Sequence, residues 1–163
     1  IASNVLGSSA SSVTFSSIPA TYRDLVLVCV PISTTNDGTN IQIRLNSDSG
    51  NNYPYVWALG NGSTATSSSN NASSLLPTAN QLYVPNVANV NSIIQIMDYS
   101  ATDKHKTILS RTNQTSDPGG FGLIGTIMVA SRWASTSAVN TIAISAATSW
   151  AAGSSFYLYG IVS

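Results

Sequence analysis

The chain reads as an all-β domain, a sandwich or jelly roll, on three features of its sequence. Strand candidates are short and numerous, roughly nine or ten in 163 residues, with turn chemistry at near-regular spacing between them. The run Leu25-Val26-Leu27-Val28-Cys29-Val30 is apolar without polar alternation, which predicts a strand near the centre of the core with both faces covered. No segment carries a convincing helical period, and no internal repeat is present.

Composition narrows the function classes. Charged residues are 7% of the chain, with six Lys+Arg balancing six Asp and no Glu. A typical domain has about a quarter of its residues charged, so Ser, Thr and Asn must carry this surface. No field exists to steer nucleic acid, so binding driven by phosphate neutralisation is excluded as a main activity. Low charge with 43% hydrophobic residues removes the repulsion that keeps copies apart and favours an assembled state. Cys29, the only cysteine, lies inside the central apolar run and is expected to be a buried, unreactive thiol. No uninterrupted apolar segment reaches membrane-spanning length, and no charged leader precedes an apolar run. The chain begins at Ile1 instead of Met, consistent with a removed initiator or leader.

In chain order, residues 1–11 are small and polar apart from Val5 and Leu6 and predict an N-terminal arm that orders only against something else. Residues 12–163 are expected to form a single β-sandwich domain. Ser12-Val13-Thr14-Phe15 alternates as a short strand, and Pro19 fixes the turn into the central run. Asn40–Asn46 has period-two alternation, with Ile41, Ile43 and Leu45 inward and Gln42 and Arg44 outward. Asp48–Asn52 connects to a strand at Tyr53–Leu59, in which Pro54 must sit at an edge or among the first residues. From Gly60 to Asn80 the composition turns to Ser, Asn, Thr, Ala and Gly and predicts a long loop, one end folding back at Leu75 and Leu76. Further strands are predicted at Gln81–Val84, Ser92–Tyr99, Lys106–Arg111, Leu123–Trp133, Val139–Ser145 and Ser154–Val162.

The side chains that could do chemistry do not converge. His105, the sole histidine, sits between Lys104 and Lys106 in a polar turn, and no G-x-S-x-G elbow accompanies it. Zinc lacks ligands, with one histidine and one cysteine. The acids Asp24, Asp37, Asp48, Asp98, Asp103 and Asp117 mostly fall at strand ends or in turns, where aspartate bonds its own backbone and need not pair for glycoside hydrolysis. Asp48-Ser49-Gly50-Asn51-Asn52 supplies oxygens around a glycine but lacks the repeated acids of a calcium loop, so an Asx-turn hairpin is the favoured reading. Trp57, Trp133, Trp150, Tyr53, Tyr55, Tyr83 and Tyr99 could stack on sugars or anchor an interface, although most are expected to fill the core or its rim. The triplets at Asn61, Asn71 and Asn113 match the glycosylation acceptor pattern, as chance allows in so Asn- and Ser-rich a chain. The sequence therefore nominates no catalytic, cofactor-binding or metal-binding residue.

Three stretches carry a resemblance. Phe15-Ser16-Ser17-Ile18-Pro19-Ala20-Thr21-Tyr22-Arg23-Asp24-Leu25, then Ile43-Arg44-Leu45-Asn46-Ser47-Asp48-Ser49-Gly50-Asn51-Asn52-Tyr53, and the closing Phe156-Tyr157-Leu158-Tyr159-Gly160-Ile161 resemble small structural proteins of tailed bacteriophages. Met97-Asp98-Tyr99-Ser100 followed by Lys104-His105-Lys106-Thr107 is similar to that family's D-Y-S-x-T-x-K-x-K-T stretch. The resemblance spans nearly the whole chain in soft motifs without a catalytic or metal signature. It implies a β-sandwich of jelly-roll type and a structural, non-enzymatic role on the virion. Lacking a collagen-like, coiled-coil or β-helical stalk, the chain is expected to be a capsid decoration (cement) protein on the head. The resemblance also implies a homotrimer that bridges major capsid protein subunits, with residues 1–11 and a set of loops gripping the lattice and no nucleic acid, membrane or cofactor involved. The alternative is a tail-fibre or tail-tip carbohydrate- or receptor-binding module.

Overall fold

The computed structural model describes residues 1–35, 40–77, 84, 86, 90–114 and 125–162. These form strands only, β1 (Ala2–Val5), β2 (Ala10–Phe15), β3 (Asp24–Val30), β4 (Gln42–Leu45), β5 (Tyr55–Gly60), β6 (Ala65–Asn70), β7 (Leu76–Pro77), β8 (Val90–Ile96), β9 (Lys106–Gln114), β10 (Gly125–Trp133), β11 (Ile142–Trp150) and β12 (Ser155–Ile161). They make two antiparallel sheets, a large one of eight strands in the order β1-β12-β3-β8-β9-β10-β5-β6 and a small one of four, β2-β11-β4-β7. The protein is a β-sandwich, as its strand pattern predicts.

Alternation builds the core. Ile43 and Leu45 of β4, with Ile41 just before it, are 0% exposed, and Val13, Phe15, Ile142 and Ile144 complete the inner face of the small sheet. Opposite them lie Leu25, Leu27 and Cys29 of β3, Ile94 and Ile96 of β8, Ile127 and Val129 of β10, and Phe156 and Leu158 of β12. Cys29 is fully buried, and desolvation pushes its thiol far above the ordinary range, as an inert core residue requires.

Several expectations need correction. Residues 1–11, expected as an arm that orders only against something else, hold β1, an edge strand paired with β12, Ala2 opposite Leu158 and Val5 opposite Ser155, and the start of β2 at Ala10 in the other sheet. The Gly60–Asn80 stretch is not one loop, because Ala65–Asn70 pairs along its length with β5. Asn61 makes that hairpin, its Oδ1 accepting from the Ser63 and Thr64 amides at 3.0 and 2.7 Å. All of β6 is exposed, and among the described residues its strand partner is β5, at the edge of the large sheet. The central run is covered on one face only: Leu25, Leu27 and Cys29 are buried, while Val26, Val28 and Val30 are half-buried on the other side. The strand predicted to reach Tyr99 stops at Ile96, with a turn at Asp98 (φ 49°), and β11 runs on to Trp150 through small residues. Residues 81–83 and 123–124 of the predicted strands, and Asp37, Tyr83 and Asp117, lie outside the described residues.

Gly125 opens β10 against the end of β5. A Cβ built there would stand 2.3 Å from the Gly60 carbonyl oxygen, a backbone atom that cannot swing aside. Gly125→Ala is expected to cost about 2 kcal/mol through this overpacking, readable as a lowered midpoint in guanidinium unfolding. A midpoint equal to wild type would mean that the β10 end relaxes freely.

Candidate functional site

Among the described residues, the acids and the histidine singled out in the sequence do not converge on a cleft. His105 is exposed in the turn before β9. Asp24 is 6% exposed and its Oδ1 accepts from the Asp98 amide at 2.9 Å, while Asp98 lies 3.7 Å from the Lys104 ammonium. Among the described residues, no group of three or more His, Cys, Asp or Glu could hold a metal ion. Trp133, Trp150, Tyr53 and Tyr99 are core residues, and Trp57 and Tyr55 pack partly against the core.

The Asp48 turn is a structural corner. Its Oδ1 accepts from the Gly50 amide at 2.8 Å, and its Oδ2 from Asn52 Nδ2 at 2.9 Å and Trp133 Nε1 at 2.6 Å. Both carboxylate oxygens are thus engaged by N–H donors, the Asx-turn arrangement. Burial pushes this carboxyl up, but the hydrogen bonds from Trp133, Asn52 and Gly50 outweigh it and hold its pKa below the ordinary value. Beside it the buried Tyr53 hydroxyl accepts from the Leu45 amide at 3.0 Å, and burial pushes that phenol up to about 12. A carboxylate with a depressed pKa lends stability above its unfolded value, about 3.9, and loses it as pH falls through the folded one. A phenol with a raised pKa lends stability below about 10 and loses it as pH rises through the folded value. Asp48→Ala is therefore expected to cost about 2 kcal/mol at neutral pH, with the gap to wild type narrowing near about pH 2.5. Urea unfolding at the two pH values checks this, and a gap independent of pH would remove the charge from the explanation.

What remains is the outer face of the large sheet, which no second layer of the described chain covers. Its side chains follow from register. One rank across the strands reads Ser3, Tyr157, Val28, Ile93, Arg111, Met128, Ala58, Ser67. The next reads Tyr159, Val26, Gln95, Leu109, Ala130, Val56, Ser69. Apolar side chains dominate both ranks, broken by Gln95 and Arg111 and closed by serines at the β6 edge. Ile1, Val5, Val56, Met128, Tyr159 and Ile161, six of the exposed large hydrophobics, belong to this face.

The face is not flat. Over β9, β10, β5 and β6 lies a shallow depression of about 600 Å³, lined by Val56, Trp57, Ala58, Leu109, Met128 and Ala130 and rimmed by the serines at 67–69. It continues as about 500 Å³ past Asn70, Asn71 and Arg132. A smaller hollow of about 230 Å³ lies by Ile93, Arg111 and Asn113. Among the described residues, no aspartate, histidine or cysteine lines these hollows. The sequence held its signal in the unalternated valines of β3, which are half-buried on this face.

The sequence matches no known family model and no characterised protein. Among solved structures the chain is similar to the enzymatically active domain of tailspike protein 2 of bacteriophage CBA120, with a TM-score of 0.38 and 12% identity. That likeness covers 93% of this chain and 24% of the other. At this level it carries no weight for function.

Proposed function

We propose that this chain is a structural subunit of a bacteriophage particle that works by attachment and makes or breaks no bond. The observation that carries the reading is the broad, largely apolar outer face of the large sheet, whose hollows are lined, among the described residues, by no aspartate, histidine or cysteine. The phage setting is supported by the soft motifs at Phe15–Leu25, Ile43–Tyr53 and Phe156–Ile161. Within the particle we place it as a decoration protein on the head, in contact with the major capsid protein and with copies of itself. Labelling particles with a gold-conjugated antibody against the chain tests the placement: gold on the head is expected, and particles that carry no label would overturn it.

A second reading is a receptor-binding module of the tail, favoured by the serine and asparagine rim of the depression, whose hydroxyls and amides suit sugar hydroxyls. Label confined to the tail, with clear glycan-array binding, would select it.

A further inference from the structure

We infer that the outer face of the large sheet is occupied by a second copy of this chain, stacked face to face. The inference names the association surface of the structural reading above and rests on that reading.

Area is the first argument. Eight strands spaced about 4.8 Å and roughly seven residues long at about 3.4 Å each give the face roughly 800 Å². That is about what each partner contributes to a stable standard interface. Charge is the second. The whole chain carries no net charge, and the two central ranks hold one ionised side chain, Arg111, with Arg132 in the adjoining hollow.

Shape is the third. The strand order reverses when one copy is turned over about an axis parallel to the strands, so β12 of one copy faces β5 of the other, β3 faces β10, and β8 faces β9. Tyr157 and Tyr159, the aromatic ridge at one end, then lie over Val56 and Ala58 in the depression at the other end. Val26 and Val28 cover Met128 and Ala130. Each Arg111 sits over β8 of the second copy, near Ile93 and Gln95, one strand spacing of about 4.8 Å to the side of its counterpart. Sheets stacked in this way keep their strands within about 30° and about 10 Å apart. The result is a twofold pair instead of the threefold ring implied by the resemblance. A sugar is the poorer occupant, because the depression is lined mainly by aliphatic side chains and the rings of Trp57 and Tyr55, which border the hollows, pack partly against the core.

Light scattering coupled to size exclusion, at roughly 10 μM chain, tests this. The expected mass is about 34 kDa, twice 17.0 kDa. Met128→Arg and Val56→Arg alter exposed positions, should keep the wild-type circular dichroism, and are expected to weaken pairing at least tenfold. Thr66→Arg, opposite the inward-facing Leu59 on the other face of the β6 edge, should remain paired. A wild-type monomer, a trimer, pairing that survives both face substitutions, or pairing broken by Thr66→Arg would each overturn the inference. Monomers from a chain that still labels particles would remove this inference alone, whereas pairing by a chain absent from particles would remove the functional reading alone.

Discussion

Lys106→Met is expected to lower stability by about 3 kcal/mol, which for a chain of this size is a fall of roughly 6–12 °C in Tm. Lys106 is 0% exposed, an unusual state for an ammonium. Its Nζ donates to the carbonyls of Ala101 at 2.7 Å, Lys104 at 2.8 Å and Thr136 at 3.3 Å. The first two belong to the turn between β8 and β9, and the third to the segment after β10, so the ammonium ties two connections together. Methionine keeps the length and apolar stem but offers no donor, leaving carbonyls inside the protein without this partner. Desolvation lowers the lysine pKa, against the opposing pull of Asp103 and Asp98. A base whose pKa falls on folding binds fewer protons folded than unfolded in the interval between the two values. Stability from this group therefore rises with pH towards the unfolded value of about 10.4, and Lys106→Met should lose that rise. Calorimetry at neutral pH and again near pH 10 reads both effects. A variant within 1 kcal/mol of wild type would show that water satisfies these carbonyls and that the ammonium is dispensable.

Lys106 also shows which parts of the fold were legible from sequence. The turn after β8 was recognisable as polar, but nothing in Lys104-His105-Lys106 says which cation turns inward; that depends on the carbonyl of Thr136, 30 residues away. Local pattern did well where one strand face is buried and the other wet. Ile41, Ile43 and Leu45 alternate with polar residues and all three are at 0% exposure. It failed at β6, whose strand character comes from pairing with β5 and the Asn61 turn, without any buried side chain to mark a period. The available cue was Asn61-Gly62, a hairpin dipeptide, with Gly62 at φ 90°. The run Leu25–Val30 misled in a different way. Its apolar outer residues were read as covered by a second layer, whereas they belong to a face flanked by Tyr157, Tyr159 and Ile93. Sequence hydrophobicity records that a surface avoids water, but not whether the cover comes from the same chain. Gly160, in the closing motif, is small because the Tyr22 ring lies over it, a long-range reason that no local pattern contains.

Trp150 carries the largest expected single-residue effect. It is 0% exposed and its ring centroid lies 5.9 Å from that of Phe156, tilted by 54°. It ends β11 where the register with β2 shifts, opposite Ala10, and it bridges to Ser33. The Ala151 amide then donates to Ile32 at 2.8 Å, so the indole fills the seam where the chain leaves the small sheet and returns to the large one. Trp150→Ala should open a cavity there and cost about 4 kcal/mol, roughly 8–16 °C in Tm. Among the described residues, the buried indole Nε1 has no hydrogen-bond partner, a standing penalty in the wild-type protein. Trp150→Phe removes that donor while keeping most of the ring, so the relief offsets part of the lost packing and the net cost should be about 1 kcal/mol. Guanidinium unfolding of the two variants separates volume from polarity. Equal losses for phenylalanine and alanine would mean that the indole N–H is bonded after all and that the seam depends on that bond more than on the ring.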